Sequence, residues 1–308
     1  MKRKCIINPA SGKGLDKRTL YHLKQWFNKN TGAFDHVLTK NAEDIAIQTR
    51  KALHDGVEQI IIVGGDGTNH HVVNAFFEND RPINPDARLV ISQMGSGSDY
   101  YKTVVFEKNV QNWIDLVLEH KVKCVDVGHA SLMDKNGNVF DKRYFINLAT
   151  TGMSAEIVSK KENMPKFLPG SLKYFTPTLT SLATYKPVMA SITLEGKTIE
   201  NEILALFISK GFFGGGGMRF GNEVRIDDGK FEITAVSKMS PVDMIFKLPK
   251  LYTGKYNGVK EIGKHMTSSI LVKADAKMSI ELDGEYMGKC DFEIVNRQKI
   301  INICFPKG

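Results

Sequence analysis

The feature that most constrains the fold is an apolar run that ends directly in a glycine-rich turn. Residues 59–63 read Gln-Ile-Ile-Ile-Val, a pattern typical of a strand buried on both faces of a parallel sheet. The turn consists of Gly64, Gly65, Asp66, Gly67 and Thr68, and residues 69–77 predict a helix. Glycines between a strand and a helix let backbone N–H groups approach a phosphate closely. The sequence therefore predicts an α/β fold with a phosphate site at this turn.

The chain divides into two parts with different patterns of predicted secondary structure. Residues 1–125 alternate apolar strands with helical stretches, which predicts an N-terminal doubly wound, Rossmann-like α/β domain. Residues 126–308 contain strand-like runs separated by turn signals such as Asn136-Gly137, which predicts a C-terminal antiparallel β-sandwich. We expect the active site in the cleft between the two domains, because ligand sites favour such clefts.

The chemistry of the glycine turn depends on its aspartate. No lysine follows in the position of a P-loop, so the turn is not a Walker A motif. An unscreened carboxylate within a phosphate turn would repel the phosphate. Its presence therefore indicates a function. Asp66 would either hold Mg²⁺, directly or through water, or orient the attacking hydroxyl. A plain turn after a strand is the alternative interpretation.

Several further motifs occur in a fixed order along almost the whole chain. They are residues 8–14 (Asn-Pro-Ala-Ser-Gly-Lys-Gly), 94–100 (Met-Gly-Ser-Gly-Ser-Asp-Tyr), 214–218, 225–229 (Arg-Ile-Asp-Asp-Gly) and 282–285 (Leu-Asp-Gly-Glu). Together with the glycine turn, this order resembles the catalytic domain of the diacylglycerol kinase family, which includes sphingosine and ceramide kinases. NAD kinases and phosphofructokinases share the glycine turn more distantly.

The resemblance implies an ATP site assembled from loops of the first domain. Its residues would be Asn8, Pro9, Ala10, Ser11, Gly12, Thr39, Gly64, Gly65, Asp66, Gly67, Thr68, Asn69, His70, His71, Ser96 and Asp99. The family usually has Leu-Asn-Glu where this chain has residues 69–71, Asn where it has Ser98, and Arg where it has Lys102. The adjacent pair His70 and His71 could also be interpreted as metal ligands. Neighbouring side chains on a helix point about 100° apart, which disfavours one compact site.

The acidic pair Asp283 and Glu285 is the candidate for proton transfer. On a strand, a spacing of two places both carboxylates on one face, where one could accept the proton of an attacking hydroxyl. Asp-Gly is also a favourable hairpin turn, so a purely structural interpretation stays open. With the resemblance, Glu285 is the predicted general base, and Asp283 and Asp66 are its predicted catalytic partners; the roles of Asp283 and Glu285 could be reversed.

The segment at residues 225–229 could be a plain turn. The resemblance implies that it holds a structural Mg²⁺. The ligands would be the Asp228 side chain and the backbone carbonyls of Arg225 and Lys230, an oxygen-rich set of the kind that Mg²⁺ prefers.

These features predict an ATP-dependent lipid kinase that uses Mg²⁺ and phosphorylates diacylglycerol to phosphatidic acid. Two alternatives stay open. One is a phosphotransferase similar to NAD kinases, which residues 227–229 and 283–285 argue against. The other is a catalytically silent homologue that binds a nucleotide or a lipid.

Composition limits the partners and the location. The net charge is +8, and lysines alternate with apolar residues in segments 160–186 and 238–264. Lysines beside apolar side chains predict peripheral contact with an anionic membrane, although a solvated face of amphipathic helices explains them equally well. We find no nucleic-acid recognition pattern. Four dispersed cysteines, no signal peptide and no apolar run long enough for a membrane span predict a cytoplasmic protein. A homodimer stays open.

Overall fold

A computed structural model describes residues 1–12, 14–106, 113–162, 164, 170–256, 258–276 and 278–307. The chain forms two compact units, the first made of residues 1–125 and 299–308 and the second of residues 126–298. The sequence pattern predicted that residues 299–308 belong to the second domain. They cluster with the first unit because Asn302 and Ile303 pair in parallel with a strand at residues 88–91.

The first unit is a parallel sheet with intervening helices. Its elements are β1 (Arg3–Ile7), α1 (Lys17–Thr31), β2 (His36–Leu38), α2 (Ala42–His54), β3 (Gln59–Val63), α3 (Asp66–Ala75), β4 (Phe77–Glu78), β5 (Arg81–Pro82), β6 (Arg88–Ile91), α4 (Asp99–Val104) and a 3-10 helix (Trp113–Val117). The strand order is β2-β1-β3-β6, and every pairing in it is parallel. Every residue of β3 is buried. The predicted N-terminal α/β fold is confirmed.

The second unit consists mainly of antiparallel strands. Its elements are β7 (His120–Met133), β8 (Val139–Phe145), β9 (Leu148–Gly152), α5 (Met153–Glu162), α6 (Gly170–Thr184), β10 (Val188–Leu194), β11 (Lys197–Ser209), β12 (Phe213–Gly214), β13 (Met218–Arg219), β14 (Phe231–Ser237), α7 (Pro241–Thr253), β15 (Ile262–Thr267), β16 (Ser269–Ala274), β17 (Ser279–Leu282), β18 (Glu285–Lys289) and β19 (Asp291–Pro306). β7 begins and β19 ends in the first unit. The predicted C-terminal antiparallel fold is confirmed.

The long strand β11 connects the two layers of this unit. Its first half pairs with β10, which continues to β16 and β19. Its second half pairs with β14 on one side and β9 on the other, and the register shifts between Ile203 and Ala205. Side chains from both layers form one buried apolar cluster, which includes Phe145, Leu206, Phe231 and Phe292. The strands therefore enclose a sandwich core.

Three helices cover the outer face of one layer, more helix than the sequence pattern predicted. Met153 of α5, Leu182 of α6 and Met244 of α7 pack with Phe207 and Phe220 in a second apolar cluster. The rings of Phe207 and Phe220 are stacked with centroids 4.0 Å apart. None of the described helices is long and apolar enough to cross a membrane.

Candidate active site

The glycine turn follows the buried strand β3 and leads directly into α3. The Gly64 N–H donates to the Ser92 hydroxyl over 3.1 Å, which ties the turn to the end of β6. A Cβ atom on Gly65 would lie 2.9 Å from the Cα of Gly95. Only glycine allows the two backbones to approach so closely. Because Gly65 is the N-cap of α3 and has no side chain, the N-terminal amides of this helix are not capped by it and can meet a phosphate.

Asp66 connects this turn to the neighbouring loop. Its carboxylate accepts the N–H of Asp99 at Oδ2 and the N–H of Tyr100 at Oδ1, each over 3.1 Å. These amides belong to the first turn of α4, where a negative charge is favourable. Asp66 therefore caps a helix that begins 33 residues later in the chain, a role that the sequence did not indicate.

The loop before α4 adopts an unusual backbone conformation. Ser98 lies in the left-handed region with φ of 50°, and its hydroxyl bonds to both the N–H and the carbonyl of Gly95. Asn is favoured over most other residues in this region, which is a physical reason for the Asn that the family has here. Asp99 is buried and pairs with Lys102 over 2.8 Å, and Ser96 is exposed.

The loop after β1 joins the same group. Asn8 donates from Nδ2 to the Thr68 hydroxyl over 3.0 Å, and the Ser11 hydroxyl donates to the carbonyl of Met94 over 3.3 Å. Gly12 has a φ of 62°, and a Cβ atom there would lie 2.8 Å from the same carbonyl. The structure thus brings together residues 8–12, 64–68 and 95–99 at the carboxyl ends of β1, β3 and β6, where ligands of open α/β sheets bind.

The other residues predicted to bind the nucleotide are mostly buried. Thr39 is buried, and its hydroxyl donates to the carbonyl of Ile7 over 3.0 Å. Asn69 and His70 are buried on α3, whereas His71 is half-buried. The rings of His70 and His71 meet edge to face. Within the described residues, no group of three or more His, Cys, Asp or Glu side chains is placed to hold a metal ion.

Two carboxylates of the first unit lie near Gly97 and are candidates to hold Mg²⁺ together with a phosphate. A Cβ atom on Gly97 would lie 3.3 Å from Asp66 Oδ2 and 3.5 Å from Asp99 Oδ2, so both oxygens border one small space beside this glycine. Mg²⁺ in kinases is typically held by one or two carboxylates, water and substrate phosphates. Asp66 and Asp99 fit this requirement.

The acidic motif of the second unit is a hairpin turn rather than part of one strand. Asp283 and Gly284 have φ of 52° and 89° and connect β17 to β18. The Asp283 carboxylate accepts the N–H groups of Ile146, Asn147 and Leu148 over 2.9–3.1 Å. These bonds hold the backbone between the end of β8 at Phe145 and the start of β9 at Leu148.

Glu285 is the first residue of β18 and is half-buried. The turn therefore gives the two carboxylates different surroundings. Asp283 is buried against backbone donors, which suits a positioning role, whereas the half-buried Glu285 is the better candidate for proton transfer.

Glu281 is a buried carboxyl that the sequence analysis missed. It lies on β17 between the core residues Ile280 and Leu282, and its Oε2 accepts the Gly284 N–H over 2.6 Å. Burial raises the pKa of Glu281 to about 8, and the negative charges of Asp283 and Glu285 add to this rise. The alternation of apolar and polar residues in β17 would suggest that Glu281 is exposed to solvent. Both faces of β17 are buried in the structure, so Glu281 is buried as well.

The predicted structural Mg²⁺ site contains a lysine ammonium. Lys210 Nζ lies 3.0 Å from Asp228 Oδ1 and donates to the Lys230 carbonyl over 2.8 Å. These are two of the three groups that the resemblance assigned to the metal. The Arg225 N–H also donates to Asp228, over 3.3 Å. The residues therefore do not fit a metal ion. Lys210 was not among the predicted site residues; its signal in the sequence is a lysine directly after the apolar second half of β11.

Two family models match the chain. Residues 2–130 match the diacylglycerol kinase catalytic domain, and residues 147–304 match the YegS C-terminal NAD kinase beta sandwich-like domain. Together they cover nearly all of the chain, in the order expected from the motifs.

Relatives of similar length support the same relationship. A diacylglycerol kinase from Staphylococcus carnosus (strain TM300) is 26% identical over 303 residues, which cover 98% of this chain and 94% of that protein. One from Staphylococcus haemolyticus (strain JCSC1435) is 26% identical over 308 residues and covers 99% and 89%.

Solved structures show the same fold. A Bacillus anthracis (strain Sterne) structure described as a diacylglycerol kinase superposes with a TM-score of 0.69 at 20% identity, over 99% of this chain and 96% of that one. A second structure from this organism has a TM-score of 0.77 at 22% identity, over the same shares. Yeast NADH kinase, solved with NADH, has a TM-score of 0.50 at 12% identity, over 100% and 84%.

Proposed function

The chain belongs to the diacylglycerol kinase family, and we propose that it transfers the γ-phosphate of ATP to the hydroxyl of diacylglycerol. It is a lipid kinase with ATP as its co-substrate. The observation that carries the proposal is the Asp66 carboxylate, which joins the glycine turn to the amides that open α4.

ATP lies against the first unit with its phosphates on the amides of residues 64–68 and the N-terminus of α3. The loop at residues 8–12 closes the same region, because Asn8 bonds to Thr68 and Ser11 bonds to the neighbouring loop. Phosphoryl transfer depends mainly on positioning and charge neutralisation, for which backbone donors and a helix N-terminus are suited.

Asp66 and Asp99, whose Oδ2 atoms both lie near Gly97, would hold Mg²⁺ there. When bound, it neutralises charge on the transferred phosphate. Asp66 also keeps the two phosphate loops at a fixed separation, since its two hydrogen bonds connect them directly.

The lipid hydroxyl is activated by Glu285. The oxygen of the lipid hydroxyl forms a bond to the γ-phosphorus of ATP. The bond from that phosphorus to the β,γ-bridging oxygen breaks, and ADP leaves. The hydroxyl proton passes to the Glu285 carboxylate. Asp283 positions this residue through the turn that it anchors on residues 146–148.

The reaction is tested by incubating the protein with ATP and an acceptor panel of diacylglycerol, sphingosine, ceramide and NAD⁺, followed by mass analysis of the products. Asp66→Asn should lower the rate about 100-fold or more, because the electrostatic group and one strong acceptor are lost. The exposed Asp86→Asn change is the matched control. The diacylglycerol proposal fails if the wild type makes no phosphatidic acid or if Asp66→Asn keeps the full rate. Product from NAD⁺ alone would favour the NAD-kinase alternative, and ATP binding without any transfer would favour a silent homologue.

Peripheral contact with an anionic membrane, from the cytoplasmic side, is part of the proposal. α7 exposes Val242 (61%) and Phe246 (77%), which lie four residues apart and share one face, while Met244 packs inward. Lys250 and Lys255 are exposed nearby in the sequence. Large exposed apolar side chains with lysines favour docking on anionic lipid. Segment 160–186 was also predicted to contact the membrane, but its residues 165–169 lie outside the described residues.

Vesicle sedimentation tests this surface. Binding to vesicles that contain phosphatidylglycerol should weaken with salt and be lost in Phe246→Asp. Tyr21→Asp, at a similarly exposed aromatic residue of α1, should bind normally. Equal binding by both variants would disprove the contact. The homodimer stays a prediction, which light scattering can check.

A further inference from the structure

A cluster of charges lies at the end of β11, in which the Lys210 and Asp126 side chains are buried and the Asp228 side chain is 24% exposed. The Lys210 side chain is 1% exposed, and its Nζ lies 2.7 Å from Asp126 Oδ2 and 3.0 Å from Asp228 Oδ1. The same nitrogen donates to the Lys230 carbonyl over 2.8 Å. An ammonium has three protons to donate, and here three oxygens surround it.

Backbone amides complete the cluster. The Gly229 N–H donates to Asp126 Oδ2 over 2.7 Å, and the Lys230 N–H donates to Asp228 Oδ1 over 3.1 Å. Burial of a charge is costly unless it is paired and hydrogen-bonded. Two carboxylates, one ammonium and several amide donors satisfy this condition.

The ammonium and a metal ion would need the same oxygens. Mg²⁺ binds oxygen at 2.0–2.1 Å in near-octahedral geometry. An ion bound to the Asp228 carboxylate and the Lys230 carbonyl would lie against Lys210 Nζ, and two cations at that separation repel strongly. The cluster therefore accommodates one cation, which the chain itself supplies.

We propose that Lys210 is a built-in cation that replaces the structural Mg²⁺ of the family, so that this part of the fold does not depend on metal. The proposal is independent of the acceptor substrate and of the Mg²⁺ that accompanies ATP, since all the residues of the cluster lie in the second unit.

The backbone of Lys210 extends the cluster toward the acidic hairpin. The N–H groups of Lys210 and Gly211 both donate to the Asn147 carbonyl over 2.8 Å. The Asn147 N–H donates in turn to Asp283 Oδ1 over 2.9 Å. The residue that carries the ammonium is thus also bonded, through its backbone, to the segment that holds Asp283 and the turn before Glu285.

Thermal unfolding without nucleotide tests the proposal directly. The wild type should unfold at the same temperature in EDTA and in millimolar MgCl₂. Lys210→Met keeps a similar length and removes the charge, and it should lower Tm by roughly 6 to 20 °C, because the buried Asp126 carboxylate and the partly exposed Asp228 carboxylate both lose their cation.

Lys289→Met is the matched control. Its partner Glu156 lies 3.5 Å away, and the lysine side chain is 51% exposed, so its loss should shift Tm little. The proposal is overturned if Mg²⁺ raises the wild-type Tm and Asp228→Asn abolishes that rise. It is also overturned if Lys210→Met unfolds at the wild-type temperature. If Lys210→Met does not fold, the wild-type and Asp228→Asn measurements decide the matter.

Discussion

Asparagine at position 283 should separate the structural role of this residue from the catalytic role of Glu285. The Asp283 carboxylate accepts three backbone N–H groups, one of them, from Ile146, at Oδ2. An amide keeps Oδ1 and places an NH₂ group against the Ile146 N–H. One charge-assisted bond is lost and one buried donor is left unpaired, at a cost of roughly 3 kcal/mol or more. Asn tolerates the left-handed backbone at this position, so backbone strain does not add to the effect.

Urea unfolding and steady-state kinetics measure the two effects side by side. Asp283→Asn should lower the unfolding midpoint strongly, whereas Glu285→Gln should leave it nearly unchanged and lower kcat about 100-fold or more. Glu293→Gln, at an exposed position of β19, serves as the control for both measurements. If Asp283→Asn keeps wild-type stability but loses activity, Asp283 is the base and the assignment of roles is wrong.

Three further predictions concern other parts of the two units. Gly65→Ala should weaken ATP binding and stability together, because its Cβ would lie 2.9 Å from the Gly95 Cα; calorimetric titration checks this, and normal ATP affinity would contradict it. Ser98→Asn should retain activity and stability in the same assays, because Asn suits a φ of 50°; a large loss would show that the Ser98 hydroxyl is required. Glu281→Gln should stabilise the protein increasingly as pH rises. The folded pKa of Glu281, about 8, exceeds its usual value of 4.5. Wild-type stability therefore falls as pH rises between these values, because the carboxyl of the unfolded chain ionises while the buried one keeps its proton. The Tm difference between variant and wild type should therefore be larger at pH 8 than at pH 5, and a constant difference would contradict the shift.

Local sequence was sufficient for most of the architecture. The apolar run of β3 predicts a buried parallel strand because burial on both faces leaves no place for polar side chains. The glycines at positions 64 and 65 predict a close backbone approach for a local steric reason. The motif order was sufficient for the family, since each motif is continuous in sequence and needs no knowledge of tertiary contacts.

Tertiary structure decided what the charged side chains of these motifs do. Asp66 caps a helix 33 residues away, and Asp283 binds an amide 137 residues away. The sequence could not show which backbone N–H groups these carboxylates bind, because every backbone N–H is an equally good donor whatever its residue type. The hairpin at residues 283–284 also replaced the strand on which two carboxylates would have shared a face.

Lys210 shows most clearly the difference between what the sequence predicts and what only the tertiary structure decides. The sequence by itself predicted a turn at residues 225–229 and a phosphate turn directly after β3. It could not determine that a lysine 18 residues before Asp228 would lie within this turn. A buried charge is stabilised only by partners that folding brings to it, and those partners are distant in the chain. The sequence therefore identified the family and predicted a phosphate turn, whereas the tertiary structure decided which cation lies beside Asp228 and which carboxylates hold the backbone.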